Sequence, residues 1–469
     1  MPPLLPFLAE IKYMTTTAIA AFAGVVLAVY AVLRKKRIKG GRRMSFNSQV
    51  MVHGAFPPEA EVAKPIINIV MMFKKCPDLE RLKVHYTGLT SYDRFRAIPL
   101  NENGSWIFRN VDFDIDNHVH CSTAENEAAM KAMIDSIVGE PLRTDIPYWC
   151  VHRIETRDGL SCVVTRLHHV IADGISLVAA INKVFCDENN QPLTKPEAPI
   201  NTAPKVQISL VQKLFKVVKS FFDVLYIGIS PYDSDIKYTA PNKKALAMTT
   251  RKTLYFPSVK LAFIKALKEK AGVTVNDILL AATSGAIRRY SQFRGDDFSS
   301  GKQYRNRALV PLAFFRPMKD LEDPAKAMSN KFAFLSVDLP INSSTAVDRV
   351  NDCNKTMSEL KTSPIALVQL WVQSNLLSFL PLSVQRQIGH DIFSRHSIVF
   401  SNVPGPSRPI TLAGEKVVNM QVLFPNLLPQ VILISYSGSI FNCMVIDDKL
   451  ITNPEKLCEY YLEDLREVA

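Results

Sequence analysis

Two adjacent histidines, His168 and His169, are followed by Asp173 and Gly174 in the run RLHHVIADGISL, residues 166–177. An imidazole with a pKa near 6.5 is mostly neutral at neutral pH, so a fixed histidine can take a proton from a hydroxyl as a new bond forms. Positioned base catalysis of this kind contributes about 10²–10⁴-fold in rate. A carboxylate four residues on can order the loop that aims the ring, and the glycine after it reads as a tight turn. A second constellation is His118-Val-His120-Cys121, which puts two imidazoles on one face of a strand. It has no CxxC spacing and no further ligand nearby, so a metal site is disfavoured. G-x-S-x-G, a P-loop and G-x-G-x-x-G are all absent, which argues against serine-hydrolase and nucleotide-dependent chemistry.

The elements that must position these residues alternate strand and helix. Apolar runs at 66–74 and 161–167 predict strands, the second ending at the histidines, with a helix-period segment at 124–138 between them and a helical run at 175–185 after the motif. Residues 187–204 carry four prolines and few large apolar side chains, the best linker in the chain. Next, 206–229 predicts an amphipathic helix with Lys213, Lys216 and Lys219 on one face and Leu210, Leu214, Phe221 and Leu225 on another. Packing against its own domain is the favoured reading of that helix, with a lipid surface as the alternative. A helix over about 258–271 is stopped by Gly272, and Thr274 and Asp277 have capping-box spacing for a helix at 275–291. Strands are expected at 306–312, 331–337, 397–402, 417–424, 430–436 and 439–446, and a last helix at 454–467. The expected class is α/β in two halves. The expected division is 1–45 a membrane anchor with a basic flank, 46–186 a first domain, 187–245 a linker with the amphipathic helix, and 246–469 a second domain.

A formal charge of +12 would suggest a polyanionic partner, but its distribution argues otherwise. Residues 1–45 hold eight basic side chains against one acid and so account for +7, leaving +5 on the remaining chain. No nucleic-acid partner is expected. The basic cluster follows an uncharged stretch at 14–33, MTTTAIAAFAGVVLAVYAVL, which would span about 30 Å as a helix. This predicts one retained transmembrane helix, with the catalytic body held in the cytosol by the positive-inside tendency and the endoplasmic reticulum as the expected membrane. The eight cysteines are scattered without pairs, which fits reduced thiols.

HHxxxDG between a strand and a helix resembles the signature of the CoA-dependent acyltransferase superfamily. Phe113 to Val119 (FDIDNHV), Pro141 to Trp149 (PLRTDIPYW), Asn276-Asp277, Val310-Pro311 with Arg316, and Ser401 to Pro406 (SNVPGP) are similar, in order and spacing from about residue 85 to 465, to motifs of the wax ester synthase/diacylglycerol acyltransferase family. The chain departs from that pattern at Ser329-Asn330, where the family has Gly-Asn, at Ser91-Tyr92-Asp93 and at Pro147-Tyr148-Trp149.

The resemblance implies two similar acyltransferase-like domains with a channel between them. Acyl-CoA would be the donor, and a long-chain alcohol or diacylglycerol the acceptor. His169 would act as general base without a covalent intermediate and without a metal or redox cofactor. Asp173 would be structural, paired with Arg316; His168 would support the loop; and Asn276 would donate to the developing oxyanion or orient the acyl group. Two related readings fare worse. HxxxxD glycerol-phosphate-type acyltransferases carry a Pro-Glu-Gly element that is missing here, and peptide-condensation domains act beside modules for which the chain has no room. The non-enzymatic alternative is a membrane-tethered lipid-binding or scaffold protein with an inactive acyltransferase fold. Retention of His169 and of Asp173-Gly174 argues against it.

Overall fold

A computed structural model describes residues 44–53, 65–102, 105–193, 209–239, 250–314 and 316–469. The first half contributes strands β1 (Ile66–Phe73), β2 (Ala97–Glu102), β3 (Ser105–Asn110), β4 (Val119–Ala124), β5 (Trp149–Thr156) and β6 (Ser161–His168). The second contributes β7 (Lys252–Tyr255), β8 (Val259–Lys260), β9 (Arg307–Ala313), β10 (Phe332–Asp338), β11 (Ile398–Pro404), β12 (Thr411–Leu412), β13 (Glu415–Leu423), β14 (Gln430–Tyr436) and β15 (Ser439–Ile446). They form two mixed sheets, ordered β12-β13-β1-β6-β5-β4 and β10-β9-β11-β14-β15-β7, with β8 pairing β15 and β2-β3 a separate hairpin.

The halves are therefore not consecutive blocks of sequence. β13 crosses back to pair antiparallel with β1, so residues 411–423 complete the sheet that carries the paired histidines. Central position explains the apolar runs of β1 and β6: every residue of β6 is buried, which leaves no solvent face to alternate with. Two tight hairpins set register in the crossing region. Ala413-Gly414 and Ser437-Gly438 all have positive φ, the geometry of a two-residue turn whose twist matches the strands it joins.

One apolar core lies under each sheet. A third cluster, with Val70 and Val164 of the first sheet, Ile134 of the helix Glu127–Gly139, and Cys443 and Val445 of β15, packs the halves together. The helix Val275–Phe293 opens at the expected capping box of Thr274 and Asp277, and the helix before it ends at Gly272 with φ 67°. All eight cysteines are free.

The expected transmembrane helix at 14–33 and its basic flank lie outside the described residues. Among the described residues no helix is long and apolar enough to cross a membrane, and the single-pass placement is corrected accordingly. The helix Leu210–Ile227, the longest apolar-rich one in that region, carries Lys213, Lys216, Lys219 and Asp223, too much charge for a span.

Candidate functional site

β6 delivers the two histidines at its last residue and the next. His169 N–H donates to the Pro65 carbonyl (2.7 Å), pinning the exit of β6 to the entry of β1. The chain then turns, with Ile171 N–H donating to His168 O (3.0 Å), and Asp173 N–H reaches across to the Ser329 carbonyl of the second half (2.9 Å).

The His169 ring is held from the second half as well. Its Nδ1 lies 3.0 Å from Asn330 Oδ1. The amide's orientation follows from its neighbours, because Asn330 Nδ2 donates to the carbonyls of His169 (2.8 Å) and Val170 (3.1 Å) and to Ser48 Oγ (3.2 Å). Oδ1 must therefore face the ring as an acceptor, so Nδ1 carries the hydrogen and Nε2 keeps its lone pair. Phe332 and Phe424 stand edge-on to the ring with centroids 5.6 and 5.8 Å away. Burial pushes the His169 pKa below its ordinary value, opposed by the Asp173 charge and by the hydrogen bond to Asn330. The imidazole is thereby kept neutral.

His168 is buried and turned to a different task. Its Nδ1 accepts the Val170 N–H (3.2 Å), closing the turn, and its ring meets Tyr148 edge-on at 5.4 Å. One Asp173 carboxylate oxygen accepts from Ser176 N–H (3.0 Å) and Oγ (2.9 Å) and from Arg316 Nη2 (3.3 Å); the other accepts Lys331 N–H (2.8 Å). Arg316, 4% exposed, also donates to Ser329 Oγ (2.6 Å) and the Ala327 carbonyl (2.8 Å). Asp173 and Arg316 thus meet as the family resemblance implied, and the pair bolts the motif loop to the strand-entry segment before β10. Burial lowers the Arg316 pKa while Asp173 raises it.

Two expectations change. Gly174 does not sit in a tight turn: it is the first residue of the helix Gly174–Val184, with no positive φ, and a Cβ there would meet nothing within 4 Å. Asn276 is exposed at the start of the helix Val275–Phe293; its Oδ1 accepts from Asn402 Nδ2 of β11, and it makes no hydrogen bond to either histidine.

Other quoted motifs prove to be packing. His118 stacks on Trp149 at 4.3 Å and its Nδ1 lies 2.7 Å from the Trp149 carbonyl, while Phe113 stacks on the same indole. His120 faces His152 at 5.0 Å, but among the described residues no group of three or more His, Cys, Asp or Glu is placed to hold a metal ion. Gly405, in SNVPGP, is required sterically, because a Cβ would come within 2.3 Å of the Ser435 carbonyl.

The residues missed by sequence reasoning are those around the ring. Ser48 and Phe424 carried no signal. Asn330 was visible only as half of a variant motif. Arg94, whose Nη1 donates to the Val170 (2.9 Å) and Ile171 (3.1 Å) carbonyls, was hidden among exposed-looking cations.

A histidine fixed between two mixed sheets, one borrowing a strand from the other half, is the arrangement of the CoA-dependent acyltransferase superfamily. Solved structures share the fold. A wax ester synthase/diacylglycerol acyltransferase from Marinobacter aquaeolei VT8 superposes with a TM-score of 0.60 at 16% identity, over 91% of this chain and 98% of that one. A starter condensation domain of rhizomide synthetase, solved with C8-CoA and Leu-SNAC, gives 0.57 at 12% identity, over 91% and 93%. Residues 89–279 match the wax ester synthase/diacylglycerol acyltransferase catalytic domain, and residues 328–469 match the family's C-terminal domain.

Wax ester synthase/diacylglycerol acyltransferase 5 of Arabidopsis thaliana is 22% identical over 469 residues, covering 86% of this chain and 89% of the relative. A provisionally named diacyglycerol O-acyltransferase of Mycobacterium tuberculosis is 25% identical over 353 residues, 69% and 73%. The chain belongs to the wax ester synthase/diacylglycerol acyltransferase family and is an acyl-CoA-dependent O-acyltransferase. Relatives from Mycobacterium tuberculosis match 69% of this chain, so the family likeness supplies no ground for the endoplasmic reticulum. That expected localisation is withdrawn.

Proposed function

We propose that the protein transfers a fatty acyl group from acyl-CoA to a lipid hydroxyl, either a long-chain alcohol to give a wax ester or diacylglycerol to give triacylglycerol, with His169 as general base. The observation that carries this reading is the committed tautomer of His169: Nδ1–H is taken by Asn330, and Nε2 is left as an unprotonated acceptor in a desolvated setting.

In the reaction, His169 Nε2 takes the acceptor's hydroxyl proton as that oxygen bonds to the thioester carbonyl carbon. The tetrahedral oxyanion then collapses, the carbon–sulfur bond breaks, and the imidazolium returns its proton to the CoA sulfur. Atoms and charge balance without a covalent enzyme intermediate, a metal or a redox cofactor. His168 holds the turn, and Asp173 with Arg316 fixes the loop to the second half. A Cβ at Gly174 would meet no protein atom within 4 Å, which leaves room for substrate at the start of the helix Gly174–Val184. Both substrates meet at a ring gripped by the two halves, which supports a channel between them.

The test offers the purified protein a labelled acyl-CoA with hexadecanol and diacylglycerol in competition. Labelled wax ester, triacylglycerol or both is the expected product, and their ratio reports acceptor preference. Release of CoA without either ester overturns the proposal.

A further inference from the structure

The short turn Asp93–Arg96 is pinned from inside. Phe95 is buried, its ring meets Trp149 edge-on at 6.0 Å, and its carbonyl accepts Trp149 Nε1–H (2.9 Å). A core residue held this firmly fixes where its neighbour in the chain points. That neighbour, Arg94, lies against the loop that follows the paired histidines, while Asp93, the acid beside it, turns to Arg96 (3.2 Å).

The Arg94 guanidinium carbon stands 4.5 Å from the centre of the Phe108 ring on β3, which sets the plane of the fork. Its Nη1 donates to the carbonyls of Val170 (2.9 Å) and Ile171 (3.1 Å) and to Ser48 Oγ (3.3 Å). Two of these oxygens are shared with the residue that holds the His169 ring, because Asn330 Nδ2 also donates to the Val170 carbonyl (3.1 Å) and to Ser48 Oγ (3.2 Å). Each oxygen has two lone pairs, so one donor from the first half and one from the second fill it together.

Ser48 is wholly buried in the helix Phe46–His53, whose Asn47 Nδ2 donates to the Phe332 carbonyl (2.8 Å). Three parts of the chain, remote in sequence, thus close on the residue after the histidine pair. A carbonyl gripped from both sides resists tilting, and a tilt at Val170 would carry the His169 ring away from Asn330 Oδ1.

We propose that Arg94 is a positioning residue for His169, which fixes the motif loop jointly with Asn330. The inference rests on the reading of His169 as general base and deepens it.

The test assays the purified full chain for ester formation from acyl-CoA and whichever of hexadecanol and diacylglycerol the parent prefers, as parent, Arg94→Ala, Asn330→Ala and the double variant. Arg94→Ala is expected to lower kcat about tenfold with KM for acyl-CoA little changed. When Asn330 is already alanine the same change is expected to cost less, because the two side chains act on the same oxygens. Methylguanidinium, which refits the vacated fork, is expected to restore much of the Arg94→Ala loss; methylammonium, a charge without a fork, restores none. Arg94→Met keeps the stem over Phe108 and takes the place of the alanine variant if that one does not fold. An unchanged kcat, a loss of the same size in both backgrounds, or a loss that methylguanidinium leaves as it was would each overturn the proposal. If Asn330→Ala leaves kcat unchanged, the base reading falls and the proposal with it; a loss in Asn330→Ala without one in Arg94→Ala removes Arg94 alone.

Discussion

An imidazole works as a base only when one nitrogen is committed as a donor and the other keeps its lone pair, and in this chain the commitment comes from a residue 161 positions away. Asn330 reads neither as a nucleophile nor as a base, so its type carries no alarm; its role exists only because β10 enters its sheet beside the motif loop. His169 and Asp173 stood out by the spacing of the motif, whereas Arg316 was named only through the family resemblance. The ring's neighbours were not, because contact across halves leaves no periodic trace.

Replacing Asn330 by Ala is expected to lower kcat roughly 10–100-fold, the usual scale for losing a histidine's orienting partner. Its hydrogen bond favours the protonated ring, so the acid limb of the kcat/KM profile should also move to lower pH. Asn330→Asp places an anion at the ring and should move that limb upward. A residue serving structure alone would not shift the limb in opposite directions in the two variants.

Gly174→Ala tests the open space at the start of the helix Gly174–Val184. No protein atom lies near the added Cβ, so Tm should hold or rise slightly, while KM for acyl-CoA should rise severalfold if substrate uses that space. An unchanged KM would remove Gly174 from the site.

Among the elements, those with local chemical signatures were the easiest to read. Gly272 ends one helix in the left-handed conformation, and Thr274 with Asp277 starts the next, both as the sequence indicates. β14 and β15 were placed to the residue, because a Ser-Gly turn separates two apolar runs. The helices Ala346–Thr362 and Leu382–Ser394 were not read from the sequence. Their packing uses few large apolar side chains, and the first relies instead on a buried ion pair between Arg349 and Asp464 of the last helix, Glu455–Val468.

That pair makes an element-scale prediction. Asp464→Ala removes the buried partner of a guanidinium that is 1% exposed, leaving it Glu467 at 3.8 Å and two backbone carbonyls, and should cost about 3 kcal/mol in denaturant unfolding, far more than an exposed pair such as Lys131–Glu127. The amphipathic helix Leu210–Ile227 was found correctly as an element and packs on the protein through the face of Ser220 and Ile227. Periodicity reports that two faces differ and does not say which one meets the protein.

At the scale of the molecule, the crossing of β12 and β13 into the first sheet was beyond sequence reasoning, since an alternating strand looks the same whichever sheet receives it. The same crossing carries Phe424 to the histidine ring, so the site exists only in the assembled pair of halves. Buried neutral histidines make that assembly sensitive to acid. Burial takes the pKa of His396 down to about 3 and that of His152 to about 4. The unfolded chain protonates these rings near pH 6.5, so below that pH it binds more protons than the folded one, and stability falls as pH falls until the folded values are reached. His396 alone accounts for a loss of order 4 kcal/mol at pH 3. Urea midpoints measured from pH 7 to pH 4 should therefore drop less steeply in His396→Gln, which can keep a hydrogen bond to Ser336, than in the parent.

The proposed catalysis turns on one nitrogen, His169 Nε2, and kcat for ester formation from acyl-CoA by His169→Ala against the parent tests it most directly. A loss of about 10²–10⁴-fold with KM for acyl-CoA little changed is the predicted result. Ester formation at the parent rate would contradict it.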